Sequence, residues 1–162
     1  MKSLVLENIG DSRRAACFTF LLIAPNILGA INLPTVWGFK IHFFQLAVFL
    51  AAFTFGPLGG LFSGLAGSVY TAFLLQNPFI PAGNAILGFS AGWMAARGIH
   101  PVGAAALAFL VQLPWLVSTD YFFMGLSPDY ISALAVSLAL SNLAWGTAAW
   151  SLTGFVRRMI ST

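Results

Sequence analysis

The side chains best suited to chemistry in this chain are amides, indoles and two aspartates, and their spacing suits recognition rather than reaction. Gln112, Trp115 and Thr119 recur at i, i+3 and i+7, one face of a helix, with Asp120 and Tyr121 following directly. Asn142 and Trp145 stand three apart further on, after Ser137 and Ser141, and Asn84 follows Pro78 and Pro81. Earlier, Trp37, Lys40 and His42 fall in one polar interruption, with Gln45 just beyond it. Aromatic rings supply contact area at low entropy cost and amides fix orientation, so this set suits a small, flat, polar ligand. Asp120 would meet a cationic or hydrogen-bond-donating group on it. Plainer roles fit several of the same residues. Trp37, Tyr121 and Tyr130 suit an interfacial aromatic belt, Asn142 suits a helix-to-helix hydrogen bond, and Lys40 with His42 suits a surface pair. Asp129, after Pro128 and before an apolar run, suits a helix N-cap.

Catalytic and metal readings are weak. Gly88-Phe89-Ser90-Ala91-Gly92 spells the serine-hydrolase elbow GxSxG, but it lies within an apolar helical stretch, where the strand-to-helix turn that chemistry needs is missing. A single cysteine, Cys17, excludes an internal disulfide or a cysteine-based zinc site. The expectation is therefore no catalytic residue, no metal and no cofactor.

The elements that carry these residues must be membrane helices. Of 162 residues, 59% are hydrophobic and 7% charged, against roughly 25% charged in an average soluble protein. Mean hydropathy is +0.91. Such a chain cannot clothe a water-facing surface, and its seven basic residues form no nucleic-acid patch. Division at proline, glycine and charge signals predicts six spans, at about 14–33, 41–55, 58–76, 81–96, 102–119 and 130–155. With both termini cytoplasmic, Lys2, Arg13, Arg14, Arg97, Arg157 and Arg158 fall inside and Lys40 alone outside, a positive-inside pattern. Asp120 and Asp129 then fall in the outer loop between spans 5 and 6. No Asp, Glu, Lys or Arg occupies the middle of a predicted span, which weighs against a proton-coupled carrier. The predicted fold is thus all-α: a single membrane domain, a six-helix transmembrane bundle in the cell membrane. Small residues at four-residue spacing, Gly60 and Gly64, then Gly88 and Gly92, suit either internal helix packing or a surface for another membrane protein.

The segment His42-Phe43-Phe44-Gln45-Leu46-Ala47-Val48-Phe49-Leu50-Ala51-Ala52 leads into the glycine-rich turn Gly56-Pro57-Leu58-Gly59-Gly60, and Gly83-Asn84-Ala85-Ile86-Leu87-Gly88-Phe89 opens the fourth span. With the span count and charge bias, these segments make the chain resemble, over nearly its whole length, the substrate-binding S component of energy-coupling factor (ECF) transporters, vitamin type. The resemblance implies capture of a water-soluble vitamin or related heterocycle from outside, in a pocket of spans 4 to 6 and the outer loops. It also implies docking through spans 1 to 3 on a transmembrane scaffold subunit driven by two cytoplasmic ATPases. On that reading the substrate-binding residues are Asn84, Gln112, Trp115, Asp120, Tyr121, Asn142, Trp145, Trp37 and His42. Ala15, Ala16, Gly60 and Gly64 form the docking face. The AxxxA pattern that many S components carry in span 1 is partial here: Thr19 follows Ala15 and Phe20 follows Ala16. Two other classes fit the same spans: a stand-alone facilitator or small secondary carrier, and a non-catalytic membrane assembly protein whose buried amides only hold helices together.

Overall fold

The computed structural model describes residues 12–34 and 40–161, with residues 32–34 and 40–42 described by backbone alone. It is helical, with one short strand pair. The elements are α1 (Ser12–Gly29), β1 (Asn32–Pro34), β2 (Lys40–His42), α2 (Phe44–Gly67), α3 (Val69–Leu74), α4 (Ile80–Ala96), α5 (Pro101–Phe122) and α6 (Pro128–Ser161). Among the described residues three stretches are long and apolar enough to cross a membrane: Phe44–Leu74, Pro101–Phe122 and Pro128–Ser161.

The distribution of side chains fits a lipid solvent. Bulky apolar groups face outward: Phe73 is 85% exposed, and Phe20, Ile27 and Phe122 are exposed as well. Small and polar groups fill the interior, where Ala51, Ala91, Ala104, Ala105, Ala108 and Ala149 are sealed together with Ser63, Ser141 and Asn142. Where lipid tails are as apolar as leucine, burying leucine gains little, so close packing of small residues and interhelical hydrogen bonds hold the helices.

The stretch Phe44–Leu74 is not one straight rod. Gly56 has φ 80° and ψ −163°, a region that side chains other than glycine's hydrogen essentially exclude, and Pro57 follows. A Cβ placed on Gly60 would lie 2.8 Å from the Cβ of Ala52, whereas eight residues of continuous helix span about 12 Å. The chain therefore folds back at Gly56, and α2 consists of two limbs, 44–55 and 57–67. The second limb packs backbone to backbone on α4. Cβ atoms on Gly60 and Gly64 would meet the carbonyl oxygens of Gly88 and Asn84 at 2.1 Å, and one on Gly92 would meet the Gly56 carbonyl at 2.8 Å. These three contacts set an antiparallel register. On its other side the second limb takes α1: Ser63 Oγ donates to the Leu21 carbonyl at 2.6 Å, Asn26 Nδ2 donates to the Ala66 carbonyl at 2.9 Å, and Gly67 accommodates the Pro25 ring. Helices α5 and α6 close the bundle, with Gly146 against Ala105.

Several element ends differ from the sequence expectation. The first span was expected to stay helical to 33, but α1 stops at Gly29 and residues 32–34 pair with 40–42, Asn32 opposite His42 and Pro34 opposite Lys40. The third breaks at Ser68 (φ −108°, ψ 2°), whose hydroxyl bonds the Gly64 carbonyl at 2.6 Å. The fifth runs past Thr119 to Phe122, which carries Asp120 out of the expected loop and into the helix. The sixth begins at Pro128 and is capped by Ser127, whose Oγ accepts from Tyr130 N at 3.3 Å, rather than by Asp129. It continues past Arg157 and Arg158 to Ser161, because arginine halts entry into lipid but is a good helix former.

Candidate functional site

Pro81 lies in the first turn of α4, and the residues that follow bring Gly83 and Asn84 inward. Gly83 lets α5 approach: a Cβ there would stand 3.1 Å from Trp115 Cδ1 and 3.5 Å from Gln112 Nε2. Asn84 is the hub of a buried chain of hydrogen bonds. Gln112 Nε2 donates to Asn84 Oδ1 at 3.1 Å, Asn84 Nδ2 donates to Ser68 Oγ at 2.6 Å, and the Ser68 hydroxyl in turn donates to the Gly64 carbonyl. Gln112 thus uses one N–H on Asn84, and its second N–H and its carbonyl oxygen are available to a ligand. One helical turn on, Trp115 Nε1 donates to the Phe79 carbonyl at 3.1 Å, which holds the indole in place. Thr119 Oγ1 bonds back to the Trp115 carbonyl at 2.8 Å.

These groups wall a cavity of about 440 Å³ at one end of the bundle, within the roughly 300–1,000 Å³ of ordinary small-molecule sites. The lining pairs Asn84, Gln112, Thr119 and Asp120 with the rings of Phe44, Phe79, Trp115 and Tyr130. Leu116, Met124, Leu134 and Leu138 add apolar wall. Asp120 is buried, and one of its oxygens accepts from Asn77 Nδ2 at 2.8 Å while Asn77 Oδ1 accepts from Phe79 N at 3.0 Å. Asn77 therefore orients the carboxylate and leaves its second oxygen for another donor. No cationic side chain among the described residues lines the cavity. A carboxylate in such a place is costly unless a hydrogen-bond donor or a cation meets it.

Below this cavity lies a second polar group of a different kind. Gln45 follows Phe44, and Asn142 follows Leu138 by one turn, so both stand just beyond cavity residues. Each is 1% exposed, and among the described residues neither the amide nitrogen nor the oxygen of either has a partner; Trp145 Nε1 has none there either. The Trp145 ring packs on Phe43 with centroids 4.6 Å apart. An unmet buried amide costs roughly 1–3 kcal/mol. Asn142→Leu, close in volume and free of polar atoms, is accordingly expected to raise the stability of the ligand-free protein by about 1–2 kcal/mol in a detergent unfolding titration.

Of the residues singled out from sequence, Asn84, Gln112, Trp115 and Asp120 come together at the cavity. Asn142 and Trp145 do not line it. Tyr121 stands outside, exposed, with its ring 5.0 Å from that of Phe122. His42 ends β2, its backbone opposite Asn32, and Trp37 lies outside the described residues. Of the expected docking residues, Ala15 is half-buried and Ala16 exposed on α1. Gly60 and Gly64 require correction: both are buried against the α4 backbone, so their small-residue stripe is consumed in internal packing and presents no face to a partner. Ser90 is half-buried within α4, in an unbroken helix, with no elbow around it. Among the described residues no three His, Cys, Asp or Glu side chains converge as a metal site.

Ser68, Thr71 and Phe79 belong to the site and were not anticipated. Ser68 stands at a helix break inside an apolar run, the one local signal that marked it; Phe79 contributes its main-chain carbonyl, which no side-chain pattern reveals. Neither a known protein family, nor a curated protein, nor a solved structure matches this chain.

Proposed function

We propose that the chain is a substrate-capture subunit of the ECF S-component kind, binding a water-soluble vitamin or related small heterocycle from outside the cell. It would deliver that ligand inward together with a transmembrane scaffold subunit and two cytoplasmic ATPases. The observation that carries this reading is the cavity of about 440 Å³ whose wall joins a tethered indole, an oriented carboxylate and amide groups with open hydrogen-bonding capacity. Rings would sandwich a flat ligand, Gln112 would bond its polar edge, and Asp120 would meet a donor or a cation.

The reading takes the two limbs of α2 as separate crossings, which with α1, α4, α5 and α6 makes six passes and puts both termini on the cytoplasmic side. Support comes from the reversal at Gly56 and from charge: Arg97, Arg157 and Arg158 lie at one end of the helices, Asp120 and Asp129 at the other.

The test is a fluorescence titration of the purified protein against a panel of water-soluble vitamins, with mass spectrometry of any ligand retained through purification. One panel member or retained heterocycle is expected to bind, and Trp115→Ala is expected to weaken it about 10- to 100-fold. Absence of any bound or binding compound, with cellular uptake indifferent to Trp115→Ala, would overturn the proposal.

A further inference from the structure

The far end of the bundle holds a second and larger cavity, of about 790 Å³, that the capture of an external ligand does not use. Its walls come from the fold-back of α2 (Phe53, Gly56), the turn between α4 and α5 (Gly98, His100) and α6 (Trp150, Arg157). The floor is buried, formed by Ala52, Phe53, Gly92 and Thr153, while His100, Trp150 and Arg157 stand exposed at the rim. Among the described residues Arg157 is held at one point: Nη2 donates to the Phe53 carbonyl across the cavity edge. A guanidinium has five N–H donors, so most of them remain for a ligand, and the tether fixes where they are presented. His100 is positioned too, its ring edge-on to Trp150 with centroids 4.6 Å apart.

Among the described residues the charge around this cavity is basic: Arg97, stacked on Trp93 at 4.0 Å, and Arg158 stand next to lining residues, and no described acidic side chain lines it. Asp120 and Asp129 lie at the opposite end of α5 and α6. A recess with a mainly apolar floor and a rim carrying a tethered arginine, a histidine and a tryptophan matches what a phosphate group at a membrane surface requires: charge-assisted donors from a planar fork, with an aromatic ring at the interface level.

From this geometry we infer that the cavity beside Arg157 binds a phosphate-bearing anion, either the headgroup of an acidic phospholipid or a soluble phosphate, and that the bound anion ties the α2 fold-back to α6 and to the α4–α5 turn. Such a ligand stabilises the folded bundle by mass action.

The experiment measures thermal unfolding of the whole chain in detergent, titrated with phosphatidylglycerol, with phosphatidylcholine or with inorganic phosphate at constant ionic strength. Phosphatidylglycerol is expected to raise Tm by several degrees where phosphatidylcholine does not, identifying a lipid headgroup. An equal rise with inorganic phosphate alone identifies a soluble anion. In either case Arg157→Gln or His100→Gln is expected to weaken the apparent affinity about tenfold. Arg158→Gln, which removes the same charge outside the cavity, is expected to leave it unchanged. Because Arg157 also holds the Phe53 carbonyl, His100→Gln provides a variant that keeps that tether. The inference is overturned if neither anion protects the unsubstituted protein, or if protection is the same in Arg157→Gln, His100→Gln and Arg158→Gln.

Discussion

Gly60→Ala is expected to lower the stability of the bundle by about 3 kcal/mol, the upper end of the overpacking range. The added methyl would stand 2.1 Å from the Gly88 carbonyl oxygen, and a methyl on Gly88 would stand equally close to the Gly60 carbonyl. Both obstacles are main chain, so no rotamer change relieves the clash; the second limb of α2 and α4 must separate. That separation would also loosen the contacts of Gly64 with Asn84 and of Gly92 with Gly56, and so disturb the hub of the cavity. Gly154→Ala is the matched control, since nothing lies within 4 Å of its added methyl; it is expected to be neutral or to stabilise by up to about 1 kcal/mol through helix propensity. Denaturant titration of both variants in detergent checks the pair. A Gly60→Ala protein that unfolds like the parent yet fails to assemble with other membrane proteins would restore the stripe to a docking role.

Asp120→Ala should reduce the affinity for the captured ligand about 100-fold, measured by the same fluorescence titration. Truncating one member of a buried, hydrogen-bonded charged pair costs roughly 2–5 kcal/mol, and each 1.4 kcal/mol is a factor of ten. The variant also strands Asn77 Nδ2, now paired to the carboxylate at 2.8 Å. Asp120→Asn separates two kinds of ligand. It removes the charge and keeps one carbonyl oxygen, which Asn77 Nδ2 and a neutral donor must share, so a cationic ligand loses as much affinity in Asp120→Asn as in Asp120→Ala, whereas a neutral hydrogen-bond donor loses less in Asp120→Asn. Unchanged binding by Asp120→Ala would remove this residue from the site.

Local signals located much of the candidate site. The i, i+3, i+7 spacing of Gln112, Trp115 and Thr119 is a property of one helix, and all three side chains line one cavity. The misjudged positions are those whose environment comes from elsewhere in the chain. Asp120 was expected in a loop because the predicted fifth span ends at about 119, but α5 runs on to Phe122, and Asn77, 43 residues away, supplies the carboxylate with a partner. Tyr121, one residue along, points out of the bundle instead. Asn142 was expected at the ligand and is sealed one turn beyond it.

The amino-acid sequence by itself determined the solvent and the punctuation of this protein. Too few charges for a watery surface dictate lipid, and glycine or proline at Gly56-Pro57, Pro78 and Pro101 dictates where helices can begin and turn, since these effects act through composition and through neighbouring residues alone. Which side chains meet was decided only by the tertiary structure. Apolar residues face both lipid and core in a membrane bundle, so the hydrophobic pattern that sets register in water is muted here. Register comes instead from backbone-to-backbone seating at Gly60 and Gly88 and at Gly64 and Asn84, a fit between distant segments that no local spacing contains.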